Sequence, residues 1–470
     1  MSKFIDSMRT SDSFTYNGAV THSTSLNAMV DLFFLAGACR TEDSSRINSV
    51  ISSSYTRDPK LTLQIILWAG DIRNGAGERR FFRLALRYLY LNHRETFDRL
   101  VPFVPFYNRW DSLFEFQCDS VFNFIKQNIN DGLLCKWLPR QKQYNNFKRY
   151  LLYRLKWTPS QYRKHIVSRS TTVEQKMCAK EWDTIKYEGV PSVAFKKYRK
   201  AFARNDGHRF NSFLDDVKNG NRKINASAIF PHDIIKEFLV STGRRPHSEL
   251  RKAICAQWDA LPNYMPDSEM SINILPVCDV SGSMTVNNSL PLSMSIALGI
   301  YLSERNKGKF KDAFLTFSEN PKMKYLKGDI VDRIEQLSCA SWGLNTNISR
   351  TFELILKKSI GLDKSEVPHT LLIISDMEFD QASNESKTNF QNVKEEYDRA
   401  GIEMPQIVFW NVNGRQGNLP VNINDTGVCL ISGASPSIIK QIISGCDMSP
   451  LSIMLKTLSN YDVDLIIAEV

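Results

Sequence analysis

The sequence lacks a long hydrophobic run. No stretch approaches the roughly eighteen consecutive apolar residues that a membrane-spanning helix needs. Its first residues also contain no apolar segment of the length found in secretory signal peptides. We therefore expect a chain that is neither membrane-spanning nor exported by that route, and hence a cytoplasmic one.

Regularly spaced cysteines are missing as well. The nine cysteines are scattered, odd in number and without a Cys-x-x-Cys pair. A disulfide framework or a zinc site normally shows paired, closely spaced cysteines. The pattern predicts free thiols in a reducing compartment.

The common enzyme signatures do not occur either. There is no Gly-x-x-x-x-Gly-Lys-Ser/Thr phosphate loop, no His-Glu-x-x-His and no Gly-x-Ser-x-Gly, and the seven histidines are dispersed. We therefore expect a protein that is not an enzyme.

The positive charge is concentrated in one segment. The composition, 42% hydrophobic and 23% charged, is that of a globular protein, and the net charge is +10. Residues 136–200 contain 17 Lys and Arg but only four Asp and Glu, whereas residues 271–470 are acidic, with 18 basic and 23 acidic residues. Clustered cations are favoured by a polyanionic partner, because their contact with phosphates releases counterions.

The first 250 residues have the periodicity of helices. Phe81, Leu84, Ala85, Tyr88 and Leu89 follow helical spacing after a Gly-containing turn. Similar patterns recur at residues 25–40, 112–129, 146–156, 171–187, 206–218 and 232–240. No clean repeat period is present, so the pattern fits either a HEAT-like helical repeat, possibly closed into a ring, or a compact bundle.

The pattern changes near residues 262–268. Beyond this point strand-length apolar runs at 272–280, 313–317, 370–375, 406–411 and 428–432 alternate with amphipathic helical segments. Such alternation predicts a parallel, doubly wound sheet with helices on both faces. The expected fold class is α + α/β, with an all-helical module at residues 1–265 and an α/β domain at 266–470.

A cluster of oxygen donors follows the first of these strands. Asp279 ends the strand, and Ser281 and Ser283 come next at alternate positions around Gly282. Hydroxyl and carboxylate oxygens are ligands that Mg²⁺ prefers. A serine-rich turn after a strand is also a common connection, so this motif alone leaves both interpretations open.

The segment resembles the metal-ion-dependent adhesion site of von Willebrand factor A domains. The loop at residues 342–347 is similar to the second loop of that signature and points to Thr346, and residues 371–376 are similar to the strand that leads to its third-loop aspartate, Asp376. The resemblance implies Mg²⁺ or another divalent cation, with Ser281, Ser283 and Thr346 as ligands. It implies that Asp279 and Asp376 hold the ion's waters, and that one coordination position is left for an acidic group of a protein partner.

The helical half resembles the TROVE module of Ro-type RNA-binding proteins, in its bacterial and phage branch. The similar segments are residues 17–33, 72–83, 190–194 and 202–210, and in the second half residues 410–411 and 432–436. The resemblance covers nearly the whole chain, because these proteins join helical repeats to a von Willebrand A domain. It implies binding of single-stranded RNA ends and of small structured RNAs.

The residues of the basic segment indicate the same chemistry independently. Cations alternate with aromatic side chains, a pattern that can neutralise phosphates and stack on unpaired bases. The candidate RNA-contacting residues are Arg140, Lys142, Lys148, Arg149, Arg154, Lys156, Arg163 and Lys164, with a second group at Lys196, Lys197, Arg199, Lys200, Arg204, His208 and Arg209. The competing interpretation is that most of the aromatics are core and the cations form a solvated face.

A second function remains possible at this stage. The cation site could bind an acidic residue of another protein, as in a structural or virion assembly component, while the basic helices contact some other acidic surface. Steep salt dependence would favour RNA, and loss of partner binding with a chelator would favour protein interaction.

Overall fold

The computed structural model describes residues 13–140, 143–240, 248–265, 273–317, 321–338, 348–380, 387–414, 418–443 and 448–467. After a short antiparallel hairpin, β1 (Ser13–Phe14) and β2 (Val20–Thr21), the described residues up to 259 form helices joined by turns. The helices of this half are α1 (Ala28–Ala36), α2 (Ser44–Arg57), α3 (Pro59–Gly70), α4 (Arg79–Asn92), α5 (Arg94–Leu100), α6 (Val104–Tyr107), α7 (Asp119–Gln127), α8 (Gly132–Trp137), α9 (Asn145–Leu155), α10 (Pro159–Arg169), α11 (Val173–Cys178), α12 (Ser192–Asn205), α13 (Gly207–Lys218), α14 (Pro231–Val240) and α15 (Ser248–Asp259).

Local capping fixes where several of these helices begin. The side chain of Asp58 accepts a hydrogen bond from the Leu61 backbone N–H, with Pro59 in the first turn. Thr158 and Gln161 form a reciprocal capping box at the start of α10. These interactions satisfy N–H groups that a helix start otherwise leaves unpaired.

The described residues of the second half form a six-stranded sheet flanked by helices. Its elements are β3 (Ile274–Asp279), α16 (Val286–Arg305), β4 (Ala313–Phe317), β5 (Met323–Tyr325), α17 (Ile330–Ser338), α18 (Ile348–Ser359), β6 (Thr370–Ser375), α19 (Asn389–Ala400), β7 (Gln406–Asn411), β8 (Val428–Ser432), α20 (Ile439–Ile443) and α21 (Pro450–Leu458). The strand order is β5-β4-β3-β6-β7-β8, and all neighbours are parallel except β4 and β5. The direction of winding reverses between β3 and β6. In sheets of this kind ligands bind outside the carboxyl ends of the strands at such a point.

The α + α/β architecture predicted from the sequence is confirmed, with local departures. The sheet is not entirely parallel, because the short edge strand β5 runs antiparallel. The helix predicted at 171–187 is shorter: α11 covers only Val173–Cys178, and single 3₁₀ turns follow it. The N-terminal hairpin was not predicted, although Asn17-Gly18 is a turn sequence typical of hairpins.

One hydrophobic core runs through both halves of the chain. The helical half packs on the sheet half at its beginning, where α1 meets β8, and again at its end, where α14 meets α16 and α15 meets α17. At the first contact the Ser432 hydroxyl donates to the Phe33 carbonyl and accepts from the Gly37 N–H, both at 3.0 Å. A smaller, separate core lies between residues 185 and 253 and is rich in phenylalanine.

Two findings bear on the expectations about membranes and thiols. Within the described ranges no helix has both the length and the apolar character that crossing a membrane demands. The seven cysteines in those ranges are free, and Cys339 and Cys446 lie outside them.

Candidate metal centre and basic surface

The two aspartates of the predicted cation site lie side by side at the reversal point of the sheet. Asp279 is the last residue of β3, and Asp376 directly follows β6. The two strands pair in parallel, with Cys278 opposite Ile374. Because parallel strands end at the same edge, the loops after β3 and β6 form one site.

Asp279 is held rigidly in this site. Its side chain is fully buried, one carboxylate oxygen accepts from the Ser281 N–H at 2.9 Å, and the other accepts from the Ser375 hydroxyl at 2.6 Å. Ser375 in turn accepts from the Met377 N–H at 3.0 Å. Both oxygens of Asp279 are therefore oriented by the protein.

The serine hydroxyls and the second aspartate complete the cluster. The Ser281 and Ser283 hydroxyl oxygens are 3.0 Å apart, and the Ser283 side chain is hydrogen-bonded to Asp376. Asp376 also accepts from the Glu378 N–H at 3.2 Å. Four of the five predicted residues thus meet at one place, and Thr346 lies outside the described residues.

The electrostatics of the cluster favour a cation. Burial raises the pKa of Asp279 above its usual range. Burial, together with the charge of Asp279, raises the pKa of Asp376 to about 7. Two buried carboxylates repel each other when both are ionised, and a divalent cation would relieve that repulsion.

The donor set fits a hard ion such as Mg²⁺. The described residues contain no group of three or more His, Cys, Asp or Glu side chains arranged for a metal. This cluster is of another kind, since it combines two carboxylates with two hydroxyls. Oxygen donors with room for retained waters are what Mg²⁺ prefers.

The N-terminal hairpin borders this site, and this contact was not predicted from the sequence. The Tyr16 N–H donates to the Glu378 carboxylate at 2.7 Å, and the Thr15 hydroxyl donates to the Phe379 carbonyl at 2.7 Å. The Asn17 side-chain amide donates to the Glu378 carbonyl at 2.8 Å. Because the partners are more than 360 residues apart in sequence, no local pattern could indicate these contacts.

The basic segment has exposed cations on two consecutive helices, α9 and α10, and in the turn between them. Arg149, Lys156, Arg163 and Lys164 are exposed there, and the ring of Tyr153 is 82% exposed. A groove of about 740 Å³ is lined by Arg149, Tyr153, Arg154, Lys156 and Trp157 together with Leu152 and Pro159. Cations and an accessible aromatic ring are therefore combined on one surface.

Other members of the first predicted group have structural contacts. Arg154 pairs with Asp119 at 2.8 Å and lies 4.1 Å from the centre of the Phe122 ring. The ammonium of Lys148 lies 5.5 Å from the ring centre of buried Tyr162. Arg140 is exposed, and Lys142 lies outside the described residues.

The second predicted group is divided between surface and interior. Lys197, Lys200, Arg204 and His208 are exposed, and Lys196 is half-buried. The prediction that Arg199 contacts RNA is wrong. Its side chain faces inward from α12 and is only 1% exposed, so it cannot contact RNA at the surface. Arg209 is largely engaged within the protein, since it pairs with Asp206 and donates to the Trp182 and Ile185 carbonyls.

Comparison with known proteins gives matches along most of the chain. Residues 15–102 and 124–269 match a family model described as a domain of unknown function (DUF2828), and residues 273–454 match another, also described as a domain of unknown function (DUF7788). The chain is also similar to an uncharacterized protein of Acanthamoeba polyphaga mimivirus. The two are 28% identical over 514 aligned positions, which cover 96% of this chain and 87% of the viral protein.

Proposed function

We propose that this chain is an RNA-binding protein that holds single-stranded or small structured RNA on its basic helical surface, and that it is not an enzyme. The observation that carries this proposal is the surface of α9 and α10, where Arg149, Arg163 and Lys164 are exposed. No acidic residue occurs between Asp131 and Glu174 to offset them. Phosphates would release counterions on contact with this surface, and Tyr153 is exposed for stacking on a base.

We further propose a Ro-like arrangement, with a TROVE-like HEAT-type module, a von Willebrand A-type domain and a cytoplasmic location. Two features support it. The helical half packs on the α/β half at both of its ends, as a ring-closed module would require. The oxygen-donor loops follow β3 and β6, where the winding of the sheet reverses.

The RNA proposal is tested by reversing charge on the basic surface. The triple variant Arg149→Glu, Arg163→Glu, Lys164→Glu should weaken binding of single-stranded RNA irrespective of sequence. If five or six cations contact phosphates, log affinity should fall with log salt at a slope of about −4 in the parent, and the slope should flatten in the variant. Fluorescence anisotropy across a salt series measures both quantities.

A matched control makes the same change in charge elsewhere. Lys327, Lys357 and Lys358 are exposed in the acidic half, and their reversal to Glu should leave RNA affinity nearly unchanged. Equal weakening by both triple variants would mean that only net charge matters. A parent protein whose binding has no salt dependence would contradict the proposal.

We propose that the second site holds Mg²⁺ through Ser281 and Ser283, with Thr346 as a further ligand, while Asp279 and Asp376 hold its waters. The buried pair of carboxylates beside two hydroxyls supports this assignment. Ser281→Ala should abolish the Mg²⁺-dependent rise in melting temperature, because one oxygen donor is lost. Ser459→Ala, a change at an exposed serine, should retain it.

A second candidate function uses the same cation site for protein contact. Both carboxylate oxygens of Asp279 already accept hydrogen bonds from the protein. Asp279 would therefore hold the ion through water, and a carboxylate from a partner could bind the ion directly. In that case a chelator at constant ionic strength would release a protein partner, as in a structural assembly. Salt-sensitive RNA binding that survives the chelator favours the first proposal.

A further inference from the structure

Three arginines converge on a single buried carboxylate away from the cation site. Arg79 and Arg83 lie one turn apart at the start of α4, and Arg109 precedes the 3₁₀ turn that contains Asp111. The Arg79 and Arg83 guanidinium nitrogens are 3.6 and 3.1 Å from Asp111 Oδ2, and Arg109 pairs with both oxygens of Asp111. We refer to Arg79, Arg83 and Arg109 as the arginine cluster.

The arginine cluster has more positive charge than its partner can balance. In the described part of the chain, Asp111 is the only carboxylate within ion-pair distance of the three guanidiniums. The Nε of Arg83 is buried and makes no hydrogen bond there, whereas its Nη2 lies within ion-pair distance of Asp111. Burial and the neighbouring guanidiniums lower the pKa of Arg79. About two positive charges therefore remain uncompensated at a partly buried position, which is costly without an anion.

The cluster is open to solvent on one side. The Arg79 side chain is 45% exposed, and those of Arg83 and Arg109 are 22% and 24% exposed. The Arg109 guanidinium lies 3.9 Å from the ring centre of Trp137, which holds it in place. An incoming anion could thus reach the exposed Arg79 and also Arg109, whose position is fixed by Trp137.

A cavity adjoins the cluster through Tyr144. This residue lies under Arg83, whose guanidinium carbon is 5.9 Å from the ring centre, and its buried hydroxyl has no hydrogen-bond partner among the described residues. Tyr144 also lines a cavity of about 550 Å³ whose walls include Arg87, Tyr90, Phe114, Asn146 and Phe147. Aromatic walls with an amide group are suited to a nucleobase.

The cavity leads towards the basic surface already described. Asn146 lines the cavity and accepts a hydrogen bond from Arg149 at 2.6 Å. Arg149 lines the groove on α9. A nucleotide in the cavity could therefore be the end of a strand that continues along the groove.

We infer that the arginine cluster binds the terminal phosphate of an RNA strand, with the end nucleotide in the adjoining cavity. This inference rests on the proposed RNA-binding function. Charge distinguishes the ligand: a phosphate monoester carries about −1.5 to −2 at neutral pH, close to the surplus of the cluster, whereas an internal diester carries a single charge. The partly exposed guanidiniums of Arg79 and Arg109 could make bidentate contacts with the phosphate oxygens.

The test compares one internally labelled single-stranded RNA with hydroxyl ends, with a 5′-phosphate and with a 3′-phosphate, at constant ionic strength. One phosphorylated form should bind the full chain about tenfold more tightly than the hydroxyl form, the gain typical of a charge-assisted hydrogen bond. Arg79→Gln should abolish this preference. Arg79 is the most exposed of the three arginines and the farthest from Asp111, so its loss leaves the other two pairs intact.

The control and the possible outcomes separate this inference from the RNA proposal. Arg46→Gln, at a 64% exposed side chain on α2, should retain the preference, and no variant should melt below the parent. RNA binding without an end preference, or with a preference that survives Arg79→Gln, overturns the inference and leaves the RNA function standing. No binding to any RNA overturns both. Binding of AMP over adenosine without any gain for phosphorylated RNA also overturns the assignment to an RNA end.

Discussion

At the scale of single residues, the two aspartates of the cation site lower the stability of the folded protein when no cation is bound. Asp279 and Asp376 are buried at 0% and 3% exposure, and each raises the energetic cost of ionising the other. Without a bound cation, the folded protein would be more stable if one of these two side chains were neutral. The presence of both carboxylates is explained if a bound cation offsets their repulsion.

This argument predicts an unusual pair of effects for Asp376→Asn. In the presence of a chelator at pH 8 the variant should melt at least about 2 °C above the parent, because the buried repulsion is gone. It should also lose any stabilisation by Mg²⁺. Differential scanning fluorimetry with chelator and with Mg²⁺ measures both effects. Asp363→Asn, at an exposed aspartate, should change neither, and a destabilised Asp376→Asn would contradict the repulsion.

His232 is a second buried group whose ionisation is opposed by the fold. It lies at the start of α14, is 7% exposed and stacks on Phe230. Burial lowers its pKa to about 4; Asp233 opposes this shift, and nearby cations add to it, namely Arg40, Lys196 and Lys236. The folded protein therefore holds this histidine neutral, whereas in the unfolded chain its pKa is the ordinary 6.5.

The sign of the resulting pH dependence follows from these values. Above pH 6.5 His232 is neutral in both the folded and the unfolded chain, so it does not reduce the free energy of unfolding. As the pH falls from 6.5 towards 4, only the unfolded chain takes up the proton, and the free energy of unfolding decreases by at most about 3 kcal/mol. His232→Gln should flatten that part of the profile, measured by chemical denaturation at a series of pH values. His208→Gln, at an exposed histidine, is the control and should leave the profile as it is in the parent. Identical profiles for parent and His232→Gln would show that other groups govern acid sensitivity.

At the scale of elements, the contact between α1 and β8 depends on a glycine. A Cβ atom on Gly37 would lie 2.6 Å from the carbonyl carbon of Ser432 and 2.7 Å from the Gly433 nitrogen. These are backbone atoms, so neither can move without displacing α1 from the strand. The close approach also allows the Gly37 N–H to bond to the Ser432 hydroxyl.

Gly37→Ala should therefore destabilise the protein by about 2 kcal/mol or more, the usual cost of overpacking a close contact. Gly207→Ala is the matched control, because nothing lies within 4 Å of its added Cβ and it begins helix α13. The control should be neutral or slightly stabilising. Urea denaturation of both variants measures the difference, and equal stability of the two would mean that α1 can shift freely.

The elements themselves could largely be predicted from the sequence, whereas their contacts could not. The strands at 313–317, 370–375, 406–411 and 428–432 are buried apolar runs, so their bounds agree with the prediction. Ser281 and Asp376 could be found because they follow such strands. The arginine cluster could not, since Arg79, Arg83 and Asp111 have no spacing that indicates a site. Likewise, periodicity does not distinguish inward-facing Arg199 from its exposed neighbours.

At the scale of the whole molecule, the hydrophobic cores do not follow the division into a helical half and a sheet half that the sequence patterns indicate. The main core joins α1 and α3 to the sheet, whereas the smaller core holds α12 and α13 together. A domain boundary between residues 265 and 266 stays a prediction. The structure shows that helices before residue 265 share one hydrophobic core with strands after residue 266.

This arrangement predicts how far the effect of a bound cation extends. A ligand that binds only the folded state stabilises every element that must unfold together with its site. Mg²⁺ at Asp279 and Asp376 should therefore slow amide exchange in β3 and β6 and also in α1 and α3, which belong to the same core. Exchange in α12 and α13 should change little, because their aromatic residues form the separate core. Hydrogen exchange with mass spectrometry, with Mg²⁺ and with chelator, measures this pattern. Ser281→Ala should show no Mg²⁺ effect anywhere, and protection confined to the sheet would mean that α1 and α3 unfold independently of it.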